Sequence, residues 1–134
     1  MKKQNILLTG SEGFIGRSIQ SRIESIYNDK FNVWTFEKNN IKNNEYWTEE
    51  LSELVNDSDV ILHVGADSNT QNFDFNDVFF HNYYFSKVLF DLISQSNNDN
   101  KTIYSSSAAC YGTQGMPETI YAWSKFLAEQ YGYS

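Results

Sequence analysis

A run of spaced glycines directly after a short apolar segment constrains the fold of this chain more than any other feature. Residues 5–9 read Asn-Ile-Leu-Leu-Thr, an unbroken apolar run typical of a strand buried on both faces of a parallel sheet. Residues 9–16 read Thr-Gly-Ser-Glu-Gly-Phe-Ile-Gly. Apolar side chains then recur at helical spacing: Phe14, Ile15, Ile19, Ile23 and Ile26. This part of the chain is therefore predicted to be a strand, a tight turn and a helix.

Predicted strands and helices alternate through the rest of the chain. Further strands are expected at residues 31–36, 60–64 and 102–105, and further helices at about 48–55, 77–96 and 121–130. This alternation is typical of an α/β fold with a parallel sheet, in which the first two strands are adjacent. Residues 39–44 are predicted to be an Asn-rich loop. Since no convincing strand lies between Glu37 and Asp59, the third strand of a doubly wound sheet is expected to be short or missing.

The composition excludes several classes of function. With 134 residues the chain has material for one compact domain, and we expect residues 1–134 to form one. Its 17 acidic residues outnumber its 10 lysines and arginines, so its surface should repel nucleic acid. The single cysteine, Cys110, cannot form an internal disulfide and has no metal-ligating neighbour at suitable spacing, which fits a cytoplasmic protein without a metal. No apolar run approaches membrane-spanning length.

The glycine turn has the sequence context of a dinucleotide-binding site, because it follows a predicted strand and opens a predicted helix. Gly10 is suited to the tight turn, Gly13 to close approach of a pyrophosphate, and Gly16 to close packing of helix and strand. The backbone amides at the helix start, at Phe14 and Ile15, would face that anion with the help of the helix dipole. The alternative is an ordinary turn before a helix.

Glu37 lies at the end of the second predicted strand, 21 positions after Gly16. An acidic side chain there can accept hydrogen bonds from the adenosine ribose and repels a 2′-phosphate, which favours NAD. The neighbouring Lys38 could contact a 2′-phosphate, so NADP stays possible. The alternative for Glu37 is a solvated loop charge.

Tyr121 and Lys125 stand four residues apart, on the same face of a predicted helix. A tyrosine phenol in water titrates near about pH 10, so it needs a nearby cation before it can exchange protons at neutral pH. Ser107 follows the last predicted strand, at the carboxyl edge where open α/β sheets bind ligands. Its hydroxyl could hold the oxygen that is oxidised or reduced. Taken singly, a packed tyrosine, a surface lysine and a serine-rich turn are the alternatives.

Together these segments resemble the extended short-chain dehydrogenase/reductases, the superfamily of NAD-dependent epimerases and dehydratases. The matching segments are Thr-Gly-x-x-Gly-Phe-Ile-Gly at 9–16, Asp-Val-Ile-Leu-His-Val-Gly-Ala at 59–66, Ser-Ser-Ser-Ala-Ala-Cys-Tyr-Gly at 105–112 and Tyr-Ala-Trp-Ser-Lys-Phe at 121–126. Segments 65–68, 81–87, 107–112 and 121–127 are most similar to the ADP-glycero-manno-heptose 6-epimerases. The resemblance implies a Rossmann-like doubly wound fold.

The resemblance also implies roles for individual residues. Tyr121 would be the acid/base, Lys125 would bind the nicotinamide ribose and support the phenolate, and Ser107 would hold the substrate oxygen. Asn82 would be the helix asparagine near the cofactor, and the backbone at Gly65 and Ala66 would pass beside it. The implied reaction is hydride transfer at a carbon of a nucleotide-sugar substrate.

The chain departs from the family's pattern in length. We expect residues 1–134 to lack the strand that follows the Tyr-Lys helix in this family and the C-terminal substrate domain, so the sheet is expected to be truncated. The sequence would then be that of a truncated gene or a fragment, or another chain would supply the rest. A homodimer or a partner chain could supply the missing part. The alternative function is a non-catalytic dinucleotide-binding module that senses cofactor or assembles with a partner.

Overall fold

A parallel sheet organises the first of two units into which the chain's contacts divide. The computed structural model describes residues 2–65, 72–112 and 114–133. The first unit comprises the described residues of Met1–Gly65 and Leu92–Ser105, and the second those of Ala66–Asp91 and Ser106–Ser134. Within the described ranges, no helix combines the length and the apolar character that crossing a bilayer requires.

The sheet has four parallel strands in the order β2-β1-β3-β4. They are β1 (Gln4–Thr9), β2 (Phe31–Phe36), β3 (Val60–His63) and β4 (Lys101–Tyr104). The apolar run of β1 is buried, as predicted for a central strand: Ile6, Leu7 and Leu8. Pairing of Thr9 with both Phe36 and His63 aligns the carboxyl ends of β1, β2 and β3. The predicted parallel α/β fold is confirmed, with the chain order reversing at β1, where such folds bind ligands.

Residues 37–59, all described, contain two helices and no strand. These are α2 (Lys38–Lys42) and α3 (Trp47–Asn56). The loop predicted at residues 39–44 was therefore wrong. A capping box explains the helix: Glu37 accepts from the backbone of Asn40, and the Asn40 side chain accepts from the Glu37 amide at 2.8 Å. This local pair compensates for the weak helix propensity of asparagine.

The helix that follows the glycine turn, α1 (Phe14–Ile26), turns a different face inward from the predicted one. Gly16 and Ile23 are buried, whereas Phe14 is 90% exposed, Ile15 55% and Ile26 51%. The inward face is therefore centred on Gly16, and Phe14 lies on nearly the opposite side of the helix. Close contact of Gly16 with the turn sets this orientation, and a count of apolar residues does not reveal it.

Three glycines allow backbone segments of the first unit to lie in direct contact. A Cβ on Gly16 would stand 1.9 Å from the carbonyl oxygen of Gly10, and a Cβ on Gly10 would stand 2.5 Å from the Cα of Gly65. Gly10 also has φ +74°, in the left-handed region. Gly13 is different, because its Cβ would meet nothing nearer than 3.5 Å. The predicted packing role of Gly16 and turn role of Gly10 are thus supported by the protein's own sterics.

The second unit is helical. It contains α4 (Phe75–Phe79), a π-helical turn (Phe80–Tyr84), α5 (Phe85–Gln95) as far as Asp91, a 3-10 helix (Ala108–Tyr111) and α6 (Ile120–Tyr133). The single helix predicted at 77–96 is thus interrupted by one π-helical turn. Asp74 caps α4 by accepting from the Asp77 amide at 3.2 Å. The α4 helix, the π-helical turn and the 3-10 helix all pack against α6.

Replacement of Gly16 by alanine should destabilise the fold. Helix propensity alone predicts a gain of about 1 kcal/mol for Gly→Ala inside a helix. Since the new Cβ would overlap the backbone of Gly10, we expect a loss of about 2–3 kcal/mol in the free energy of unfolding, measured by urea denaturation. Gly13→Ala is the control, because Gly13 has extended backbone and its Cβ would make only an ordinary van der Waals contact; its cost should stay under about 1 kcal/mol. A stabilised Gly16→Ala variant would contradict this packing.

Candidate functional site

The turn before α1 leaves the start of that helix open. Gly13 is the N-cap residue and offers no side-chain hydrogen bond to the first turn. Phe14 and Ile15 project into solvent, so their backbone amides begin a helix of 13 residues at an exposed edge. Uncapped amides and the positive end of the helix dipole together favour an anion. The site geometry fits the pyrophosphate role predicted for residues 13–15.

Glu37 contacts the glycine turn directly. It follows the last residue of β2, and its Oε1 accepts from the Ser11 amide at 2.7 Å and from the Ser11 hydroxyl. These bonds hold a carboxylate beside the turn, so Glu37 is not a solvated loop charge. Lys38, the first residue of α2, is exposed. Sequence reasoning missed Ser11, and its only signal is a position between Gly10 and Gly13.

A buried network ties the ends of β1 and β3 together. The Thr9 hydroxyl oxygen accepts from the Gly65 amide at 3.0 Å and lies 2.7 Å from His63 Nδ1. His63 is fully buried, and its ring stands 5.2 Å from that of Tyr104, as expected for a core histidine. The network fixes Gly65 beside Gly10. Ala66, the other residue predicted in this segment, lies outside the described residues.

Tyr121 and Lys125 occupy successive turns of α6, as predicted. Tyr121 is half-buried and Lys125 is only 3% exposed. Burial lowers the pKa of the Lys125 ammonium to about 8, against the opposing influence of Cys110 and Glu129, which raise it. A lysine with this pKa is partly neutral in mildly alkaline solution, so the charges around it decide how much cation it supplies.

Asn82 is linked to the same helix. It lies in the π-helical turn, is 1% exposed, and donates from Nδ2 to the Ser124 hydroxyl at 3.0 Å. Ser124 in turn donates to the Tyr121 carbonyl at 2.6 Å. Single π-helical turns occur often at functional sites. Asn82 is thus bonded to Ser124, the residue that directly precedes Lys125. The sequence did not reveal this contact.

Ser107 precedes the 3-10 helix of the second unit. Its side-chain oxygen accepts from the Ala109 amide at 3.1 Å, and the hydroxyl proton remains available as a donor. Ser107, Tyr121, Lys125 and Asn82 therefore all belong to the second unit, while Gly10, Gly13, Gly16, Glu37 and Gly65 belong to the first. In the part of the chain that the structure describes, no group of three or more metal-ligating side chains is found.

Several solved structures share this fold. The UDP-glucuronic acid 4-epimerase of Bacillus cereus, solved with NAD, has a TM-score of 0.76 and 22% identity, with 95% of this chain and 50% of that chain covered. For the ADP-L-glycero-D-manno-heptose-6-epimerase of Helicobacter pylori the values are 0.78 and 24%, with 96% and 50% covered. For the dTDP-4-dehydrorhamnose reductase of Bacillus anthracis, solved with NADP, they are 0.79 and 17%, with 99% and 50% covered.

These likenesses show a common fold and a difference in length. The chain spans about half of the length of the structures that it matches. The Rossmann-like architecture predicted from the glycine turn and the alternating elements is confirmed by them. A family model described as "NAD dependent epimerase/dehydratase family" matches residues 6–134, and the chain therefore belongs to the NAD-dependent epimerase/dehydratase family.

Proposed function

We propose that this chain is the NAD(P)-binding part of an enzyme that transfers a hydride at a carbon of a nucleotide-linked sugar. The observation that carries the proposal is the pair on α6, where Tyr121 stands one helical turn from the buried Lys125. A buried ammonium is costly to maintain and is rare without a function or a partner. Similar structures that are named as sugar-nucleotide epimerases or reductases and that hold NAD or NADP support the proposal.

Cofactor binding is assigned mainly to the first unit. The amides of Phe14 and Ile15 would bind the pyrophosphate, since they form the uncapped start of α1, and Gly13 would leave room for it beside the backbone. Glu37, held beside Ser11, would accept from the adenosine ribose and disfavour a 2′-phosphate, so that NAD is preferred over NADP. The backbone at Gly65 and Ala66 and the side chain of Asn82 complete the proposed cofactor contacts.

The chemistry is assigned to residues of the second unit. When bound, the nicotinamide ring supplies the hydride acceptor and donor. Tyr121 takes the proton of the sugar hydroxyl as the carbon is oxidised and returns it on reduction. Lys125, when protonated, stabilises the phenolate by its charge, and the Ser107 hydroxyl donates to the substrate oxygen.

A second candidate function rests on the first unit alone, in which Glu37 is held beside the glycine turn and the start of α1 is open. Residues 1–134 would then be an NAD(P)-binding domain without catalysis of its own, either sensing cofactor or acting with a partner that supplies further substrate contacts. The two candidates differ in whether the rate of cofactor reduction depends on Tyr121.

Replacement of Tyr121 by phenylalanine should separate binding from chemistry. Calorimetry should give a cofactor affinity within about twofold of wild type, because only the phenolic hydroxyl is lost. The rate at which a nucleotide-sugar reduces the cofactor should fall about 100-fold or more. This rate is measured from nicotinamide absorbance, with the protein in excess over the nucleotide-sugar. Tyr133→Phe is the matched control, since Tyr133 lies on the same helix and is 83% exposed.

Three outcomes of these measurements differ in meaning. Equal rates of cofactor reduction in the Tyr121→Phe and Tyr133→Phe variants would contradict the catalytic assignment. Cofactor binding without any reduction by the wild type would favour the non-catalytic module. No heat with NAD(H) or NADP(H) at about millimolar concentration would contradict both candidates.

Replacement of Glu37 by glutamine should shift the cofactor preference. Glutamine keeps an acceptor oxygen for the Ser11 amide but removes the charge that repels a 2′-phosphate. We expect NADP affinity to rise about tenfold or more and NAD affinity to fall by less than that, measured by calorimetry. Glu53→Gln, the same charge change at an exposed position of α3, is the control. An unchanged NAD to NADP ratio would remove Glu37 from the ribose site.

A further inference from the structure

Glu129, which none of the roles above uses, joins two parts of the second unit. It lies on α6, one helical turn beyond Lys125. One carboxylate oxygen, Oε1, accepts from the Tyr111 hydroxyl at 2.8 Å, and the other, Oε2, accepts from the Ser106 hydroxyl. Each oxygen of the carboxylate therefore holds one hydroxyl donor, and hydrogen bonds to a charged acceptor are the stronger kind.

The two donors stand on either side of Ser107. Ser106 directly precedes it, and Tyr111 ends the 3-10 helix that Ser107 caps. A single side chain on α6 thus holds both ends of residues 106–111, in addition to the packing of the 3-10 helix on α6. Within the segment, the Ser106 hydroxyl is also 3.5 Å from the sulfur of the buried Cys110.

The charge on Glu129 also acts on Lys125. The groups whose charges raise the pKa of Lys125 are Cys110, from the 3-10 helix, and Glu129, from its own helix. Two titratable groups lie on elements that pack against α6, Asp77 on α4 and His81 on the π-helical turn. They pair with each other, with His81 Nε2 3.4 Å from Asp77 Oδ1. The hydrogen bond to Glu129 raises the pKa of Tyr111, because the phenolate would face the carboxylate.

We propose that Glu129 is a positioning residue, whose carboxylate holds the segment bearing Ser107 against the helix that bears Tyr121 and Lys125. The importance of this geometry for reaction rests on the proposed function, whereas the clamp itself is a property of the protein without cofactor. A carboxylate suits the role because it offers two acceptor oxygens. A glutamine offers one, and its amide group would face the second hydroxyl with a donor.

Cys110 provides a direct measurement of the clamp, since it is the chain's single cysteine and is fully buried. In the native full chain without cofactor, Glu129→Gln should raise the rate of thiol alkylation at Cys110 about ten- to a hundredfold. Tyr111→Phe, which removes one bond at the surface, should give a smaller increase. Tyr131→Phe is the matched control, because it removes a phenol-to-carboxylate hydrogen bond to Asp91 from the same helix.

The protonation of Lys125 gives a second readout, which a purely structural tie would not move. In protein labelled with carbon-13 at its lysines, the Lys125 resonance reports the pH at which this side chain is half protonated. This pH midpoint should be lower in Glu129→Gln than in wild type, because the carboxylate stabilises the ammonium. The double variant Ser106→Ala, Tyr111→Phe keeps the charge, so it should raise alkylation while its Lys125 midpoint stays nearer that of the wild type. Lys125→Arg assigns the resonance.

The outcomes distinguish this inference from the proposed function. Equal alkylation of Glu129→Gln and Tyr131→Phe, or an unchanged Lys125 midpoint in Glu129→Gln, would overturn the role of Glu129 even if the chain binds cofactor. Faster alkylation with a lowered midpoint would support it even if calorimetry detects no cofactor. Should Glu129→Gln fail to fold, Tyr111→Phe decides the clamp, and unchanged alkylation in that variant overturns it.

Discussion

The direct contact of backbone with backbone at Gly10, Gly16 and Gly65 is the constraint on which the first unit depends. A Cβ at any of the three would lie within about 3 Å of another backbone atom. Because Gly16 rests on the Gly10 carbonyl, α1 begins immediately after the turn. Its first amides consequently stand at an exposed edge, and Glu37 reaches Ser11 at the same turn. The glycine contacts thus set the helix start, and the end of β2 brings the carboxylate of Glu37 beside it.

The second unit contains a buried lysine, Lys125. Desolvation disfavours its charged form, and the influences of Cys110 and Glu129 oppose this. The same surroundings contain the π-helical turn with Asn82, bonded to Ser124, and the 3-10 helix that follows Ser107. Polar side chains that are buried and bonded in this way hold a fixed arrangement, which proton transfer to a substrate requires.

The sequence predicted much of the framework. Apolar runs located all four strands to within one residue at either end, and glycine spacing identified the turn. Two local features were misjudged. The helix α2 depends on a capping box in which Glu37 and Asn40 bond each other, and the orientation of α1 depends on contact at Gly16. Neither appears in a count of apolar periodicity, since both are set by pairs of polar or backbone groups.

Prediction of the site was less complete, because its contacts join residues that are distant in sequence. Tyr121 and Lys125 could be paired from helical spacing alone. The bonds from Asn82 to Ser124, from Ser106 to Glu129 and from Glu37 to Ser11 span 42, 23 and 26 positions, and no periodicity encodes them. Only the fold brings these groups together, so the partners that hold the predicted residues in place came from the structure.

We propose that the turn at residues 10–16 binds the diphosphate of a dinucleotide. Titration of the chain labelled with nitrogen-15 by NAD, followed by amide resonances, tests it most directly. We expect the largest saturable changes at Gly13, Phe14 and Ile15, the residues at the open end of α1. Changes that leave these three amides unaffected while appearing elsewhere, or no saturable change at all, would contradict it.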